Sequence, residues 1–450
     1  MDVRMIQKIK ADLSLQIVTA VLLAAFIFIP VGSTSLAQND IILWLSTNIF
    51  ALGGSLFMNG LKMLIIPLVI GGLLTGIVGM SDLGKMKNLA LGTIGLYLMT
   101  TIIALAGALG LSLLFDSLIG FGQVMQLPES GAVAVKETGG LAAMFANVIP
   151  ENIIVALVEN NMLGVIFFVV MFGIAAVQVS EETRLAVSDA ANKFNDIILR
   201  LTVMIMKFAP FGIFCLMANT FIKNGVQTLL PLIGYVAVLL TMLLLHCFIT
   251  YGAIVKFVGG LNPVIFFSKM REIWLFGFST GSSSATIPVT METAEKRMGV
   301  KPSSASFTIP LGATINMDGT ACMQGAATIF VASIYGIDLT MAALLTVVVT
   351  ATMASIGTAG VRGAGIVMLS MVFHQVGLPI EGIALLLAVD PILDMIRTAV
   401  NLTGDTAVTV AVAKRNNMLD EDVFNTPLDV LQAKEAEADA KIANTRQAHA

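Results

Sequence analysis

The sequence predicts an all-α polytopic membrane protein with eight transmembrane helices and two re-entrant helical hairpins arranged as inverted repeats. Three observations carry that expectation. Only 12% of residues are charged, against about 25% in soluble domains, 57% are hydrophobic, and mean hydropathy is +0.91. Several apolar runs reach the ~20 residues that cross a bilayer as a helix. Two further apolar segments are broken in the middle by Ser- or Gly-rich stretches, and a helix with a polar interruption follows each.

The first span covers Leu13–Val31 and ends at Pro30-Val31-Gly32. The second, Ile42–Val78, is long enough to require tilt or a bend, with Gly53-Gly54 and Asn59-Gly60 inside it. The third covers Leu89–Leu114. A mixed loop from Asp116 to Glu151 holds Glu129, Lys136 and Glu137. The fourth span covers Ile153–Val179, the fifth Ala186–Phe221 with an amphipathic start, and the sixth Leu230–Val258. The chain after Leu419 reads as a polar surface helix or disordered tail without chemistry.

Basic residues set the orientation. Arg4, Lys8 and Lys10 precede span one, Lys85 and Lys87 follow span two, and Arg184 follows span four. Lys256, Lys269 and Arg271 follow span six, and Lys414 and Arg415 follow the last helix. The pattern predicts a multi-pass protein of the cytoplasmic (inner) membrane with both termini cytoplasmic. The net charge of −4 matters less than these positions. The first run lacks a small-residue cleavage site and is not expected to be a cleaved signal. Cys215, Cys247 and Cys322 lie in apolar stretches without metal-ligand spacing and are expected to be packing residues.

The broken segments are Pro263–Met298, interrupted at 279–284, and Met341–Val376, interrupted at 355–365. Each half is too short to span. Irregular backbone at membrane depth is tolerated where protein buries it or where it lines a cavity. Each hairpin-plus-helix unit crosses once, so the second starts on the opposite side and the repeats are inverted, which places a site at the midplane.

The last helix carries Asp390, Asp394, Arg397, Asn401 and Asp405 at spacings of 4, 3, 4 and 4. These side chains fall within an arc of roughly 80°, with Thr398 beside them. A charge at membrane depth costs at least ~2.5–3.5 kcal/mol and persists when it faces a cavity or partner. Arg397 can hold a carboxylate bidentately or bridge to Asp390 or Asp394. Asp394 can pair with an ammonium and Asp405 with a cation. Ser282, Ser283 and Ser284 offer hydroxyls beside a helix N-terminus, which suits a carboxylate. Asn316-Met317-Asp318-Gly319-Thr320 places oxygen ligands at an interrupted helix, as hard cations require. Tyr97, Thr100 and Thr101 in the third span offer more oxygens. Together these groups would hold an acidic amino acid with cations.

On these motifs the chain resembles the dicarboxylate/amino acid:cation symporter family over essentially its whole length, most strongly from Gly277 to Lys414. The resemblance implies a homotrimer working as an elevator. Residues 1–82 and 117–225 would form the scaffold, the latter with the trimer contacts. Residues 83–116 and 226–415 would form the transport domain, and 416–450 a cytoplasmic tail. It assigns Ser283, Ser284, Thr320, Val361, Gly365, Asp394, Arg397, Thr398 and Asn401 to substrate. One sodium site falls on Gly312, Asn316, Asn401 and Asp405, a second on Thr314, Ser355, Ile356 and Thr358. A third falls on Tyr97, Thr100, Thr101, Asn316 and Asp318. The implied activity is sodium-coupled import of L-aspartate or L-glutamate. The alternative is a proton-coupled glutamate, C4-dicarboxylate or neutral amino acid carrier. One departure stands out: relatives usually carry a second arginine where this chain has Gly281 or Met395, whereas Arg362 occupies the second tip.

An enzyme is not expected. A serine hydrolase built on Ser282–Ser284 needs a base, and His246, His374 and His449 have no partner evident in the sequence. No nucleic-acid partner is expected either.

Overall fold

The computed structural model describes residues 13–78, 87–122, 149–159, 161–225, 229–357, 360–361 and 363–431. Arg4, Lys8, Lys10, Lys85, the loop residues Glu129, Lys136 and Glu137, Thr358, Arg362 and the tail beyond 431 lie outside these residues.

The described chain is helical, as expected of a polytopic membrane protein. Helix α1 is Leu13–Gly32. A continuous helix, widened into a π turn at Leu45–Phe50, leads into α2, Ala51–Val78. Helix α3 is Lys87–Leu118. Four described helices are long and apolar enough to cross a membrane, five if a bent pair is one span.

Two expected spans are interrupted. The fourth divides into Ile153–Val158 and α4, Met162–Gln178. The reason is local: the Asn161 side chain accepts from Gly164 N and starts a new helix. The fifth begins at Glu181, five residues before the expected start, because Ser180 caps it. It runs as α5, Glu181–Met206, then bends by 50° into α6, Ala209–Asn224. Pro210 sits in the first turn of α6, where its missing N–H costs nothing.

The sixth span starts as α7, Leu229–Leu245, and continues through π turns at His246–Thr250 and Ile254–Val258. The first broken segment is Pro263–Lys269, α8 (Arg271–Thr280) and α9 (Ser283–Glu292). Gly281, in the left-handed region at φ +59°, reverses the chain between α8 and α9. Then follow α10, Pro302–Ile315, and α11, Asp318–Tyr335. The second broken segment is α12, Met341–Gly357, and α13, Ala364–Val376. Helix α14, Asp390–Arg415, ends the membrane portion, and α15, Glu421–Asn425, follows.

Packing divides these helices. α2 packs on α4, α5 and α6, and α6 packs on α1. α11 packs on α3 and α7, while α8 and α10 pack on α14. The two groups meet where α12 and α13 lie against α2. Trp274 on α8 donates from Nε1 to Thr403 Oγ1 on α14 at 2.8 Å, fixing that arm to the charged helix.

The start of the C-terminal tail holds a short surface helix, α15, and is docked on the first broken segment. Leu419 forms an antiparallel bridge with Val300. Lys301 N donates to Met418 O at 2.9 Å and Asp420 N to Gly299 O at 2.8 Å. Lys269 is buried and donates from Nζ to Arg297 O (2.7 Å), Val423 O (3.0 Å) and Phe424 O (2.6 Å). Residues 417–425 thus strap the two ends of the first broken segment together, with Phe424 fully buried beneath the lysine.

Candidate functional site

Asp390, Asp394 and Arg397 lie on one face of α14 because residues three, four and seven apart stack along a helix. Arg397 donates from Nη1 to Asp390 Oδ1 at 2.5 Å and from Nη2 to Asp394 Oδ1 at 2.7 Å. All three are buried. Arg397 Nε and Asp394 Oδ2 have no hydrogen-bond partner among the described residues. A buried polar atom without a partner costs about 1–3 kcal/mol, so the arrangement is ready for another donor and acceptor.

Above this triad the two breaks meet. Ser282 Oγ donates to Gly360 O at 2.6 Å and accepts from Ala285 N at 3.2 Å, capping α9 and tying the first tip to the second. Ser284 N donates to the same carbonyl at 3.1 Å. The cavity between them is partly open and small, about 20 Å³, room for about one water molecule. That is far below the ~300–1,000 Å³ of pockets for drug-sized ligands, so a solute of more than a few atoms would enter only with the tips apart.

Seven of the nine predicted substrate residues line it: Ser283, Thr320, Val361, Gly365, Asp394, Thr398 and Asn401. Arg397 lies at its edge, with Nη2 3.6 Å from where a Cβ on Gly365 would stand. Ser284 spends its amide on the tip contact. Gly281, Met317 and Gly360 also line the cavity and were not anticipated. They contribute backbone or thioether, which leave no polar signature in a sequence. The N-termini of α9 and α13 border the space and carry partial positive charge.

Below the cavity, α10 and α11 are separated by Asn316 and Met317, which leave helical geometry at ψ +73° and +50°. The interruption expected at Asn316–Thr320 is therefore an unwound backbone. Gly319 N donates to Asn401 Oδ1 at 2.7 Å, and Met317 N to Ser355 Oγ at 3.1 Å. Asn316 Nδ2 donates to Asp405 Oδ1 at 3.0 Å, while Asp405 Oδ2 is buried without a partner among the described residues.

Three residues of the first predicted cation site, Gly312, Asn316 and Asp405, come together, while Asn401 is bonded to Gly319 N and Met317. A Cβ on Gly312 would stand 2.5 Å from Asp405 Oδ1 and 2.6 Å from Tyr97 Oη, so only glycine admits both oxygens. The third set also meets: Thr101 Oγ1 donates to Asp318 Oδ1 at 2.5 Å and Thr100 Oγ1 to Asn316 Oδ1 at 3.3 Å. Both hydroxyls also donate to Tyr97 O. The second set is described in part. Ser355 bonds to Ile315 O and Thr314 to Leu311 O. Ile356 lies in the last turn of α12, and Thr358 is outside the described residues.

One expectation is corrected. His246 is not partnerless: Nε2 lies 3.1 Å from Asp318 Oδ2, to which Tyr251 Oη also donates at 2.9 Å. A histidine inside an apolar span requires such a partner, which was the available signal. Among the described residues no three His, Cys, Asp or Glu side chains cluster as metal ligands. Carboxylates among neutral oxygens suit hard cations.

Broken membrane helices closing over a buried, charged cavity define a solute transporter. The family model of the sodium:dicarboxylate symporter family matches residues 13–415. A proton/sodium-glutamate symport protein of Geobacillus stearothermophilus is 32% identical over 375 residues, covering 82% of this chain and 88% of that protein. The proton/glutamate-aspartate symporter of Escherichia coli K12 is 30% identical over 422 residues, covering 92% and 95%. Human excitatory amino acid transporter 2 is 31% identical over 414 residues, covering 79% and 71%. The chain belongs to the sodium:dicarboxylate symporter family, a family of transporters and not of enzymes.

Proposed function

We propose that this protein is a secondary active symporter that imports L-aspartate or L-glutamate together with sodium across the inner membrane. It would work as a homotrimer of eight-span protomers with cytoplasmic termini. The observation that carries the reading is Arg397, held between Asp390 and Asp394 at the edge of a small cavity between two hairpin tips.

The chemistry follows from exchange of partners. The side-chain carboxylate of an acidic amino acid competes with the aspartates for the Arg397 fork. Its ammonium takes the place of the guanidinium at Asp394, whose Oδ2 is unpartnered among the described residues. Its α-carboxylate faces the N-termini of α9 and α13 and the side chains of Thr398 and Asn401. Ser283, Ser284, Thr320, Val361 and Gly365 shape the remaining wall.

Charge balance supplies the reason for coupling. Asp318, Asp390, Asp394 and Asp405 are buried with one guanidinium, Arg397. Counted as ionised, they leave three negative charges in excess, and an acidic amino acid adds a fourth. Carrying such a body through apolar surroundings is costly unless cations enter with it. The oxygen sets around Asp405, Asp318 and Ser355 would receive sodium. The α3, α7 and hairpin group would then move past the α1, α2, α4, α5 and α6 scaffold as an elevator.

Calorimetric titration of the purified protein with L-aspartate, in sodium and in choline at fixed pH, tests the reading. Tight binding confined to sodium supports it. Binding independent of sodium but tightened at low pH favours proton coupling, as the names of bacterial relatives include protons. Binding of serine or succinate in preference to aspartate would discard the acidic amino acid.

A further inference from the structure

Asp318 is held by more than the third predicted cation set. Its Oδ1 accepts from Thr101 on α3, and its Oδ2 accepts from both His246 and Tyr251 on the sixth span. All four residues are buried. A carboxylate can only accept, so the imidazole donates through Nε2.

The sixth span is built to deliver both donors. His246 and Tyr251 are five residues apart, which on a regular α-helix would place them ~140° apart. Here the helix widens at His246–Thr250, and Tyr251 N–H bonds to His246 O. That i-to-i+5 turn stacks the two side chains on one face, and such turns recur at functional sites. The rings meet edge to face at 4.7 Å. The Tyr251 phenol also crowds the Cα of Gly404, next to Asp405, where a Cβ would collide with it.

We propose that His246 and Tyr251 are positioning residues for the cation at Asp318. By holding Oδ2 from one side, they fix the carboxylate plane so that Oδ1 faces Thr101 and the Tyr97 carbonyl, the oxygens that would surround the ion. The inference rests on the reading of Asp318 as a cation ligand. Partners that orient a ligating side chain are typically worth about 10–100-fold in metal affinity.

The test is the sodium dependence of L-aspartate uptake into proteoliposomes, with sodium chloride titrated against choline chloride. Tyr251→Phe and His246→Leu are each expected to raise the half-saturating sodium concentration by about tenfold or more. Aspartate half-saturation and maximal rate at saturating sodium should stay near wild type, a split that loss of packing would not produce. His246→Gln, which keeps an N–H donor, should restore the sodium dependence. Tyr251→Phe removes one oxygen atom and keeps the test alive if His246→Leu fails to fold. Asp318→Asn serves as the reference. If it shifts sodium dependence while Tyr251→Phe and both His246 variants do not, the positioning role is overturned and the cation site stands. If Asp318→Asn leaves sodium dependence unchanged, the cation site falls and the positioning role with it.

Discussion

Arg397 and Asp390 lie two helical turns apart on α14, joined at 2.5 Å between Nη1 and Oδ1 in a buried setting. The guanidinium that would grip a substrate is neutralised by the protein's own carboxylates beforehand. On the proposed function, binding would be an exchange of salt bridges.

Arg397→Cys removes the fork and frees both aspartates. Truncating a buried hydrogen-bonded charge costs ~2–5 kcal/mol, or roughly 30-fold or more in affinity. Acidic amino acids should lose at least that much, while L-serine, needing only Asp394 and the helix N-termini, should gain. Competition against labelled aspartate and labelled serine measures both. An unchanged preference would remove Arg397 from its role.

Asp394→Ala should abolish amino acid binding at any sodium concentration, because no other carboxylate lines the cavity among the described residues. Asp405→Asn keeps shape but removes charge at the first cation set. It should raise half-saturating sodium by about tenfold or more and leave aspartate selectivity intact. Titrating sodium in a binding assay separates the two. Wild-type behaviour in either variant would contradict its assignment.

Gly312→Ala tests how closely the oxygens approach the backbone. The added methyl would meet Asp405 Oδ1 and Tyr97 Oη, so overpacking should cost about 1–3 kcal/mol and weaken sodium-dependent binding. Gly110→Ala, whose Cβ would meet nothing within 4 Å, is the control and should lower neither melting temperature nor sodium affinity. Equal behaviour of the two would mean the Gly312 contact is relaxed in solution.

Much of this organisation was legible in the sequence because a membrane penalises polar groups. The Asp390–Asp405 stripe, the Asn316–Thr320 interruption and the two broken segments stood out as violations of an apolar background. The splits at Asn161 and Pro210 were less visible, since one capping side chain or one proline decides them locally. The His246–Asp318 contact joins residues 72 apart and needed the fold. Docking of the tail left no pattern at all, because Lys269 reads backbone carbonyls that every residue possesses.

That tail contact yields its own prediction. Lys269→Met keeps the aliphatic stem and strands Arg297 O and Phe424 O, each costing about 1–3 kcal/mol if left buried, while Val423 O keeps Thr426 N. The variant should melt lower and become sensitive to limited proteolysis between Asn417 and Leu431. Protection equal to wild type would show that the strap holds through Leu419 and Val300 without the lysine.

Sodium-coupled import of an acidic amino acid can be measured directly. Its most direct test is uptake of labelled L-aspartate by the purified protein in liposomes under an inward sodium gradient, an inward proton gradient, or neither. The account predicts concentrative uptake driven by sodium, blocked by L-aspartate or L-glutamate and insensitive to serine. Uptake driven only by protons would contradict the sodium assignment, and uptake blocked by serine or succinate would contradict the substrate.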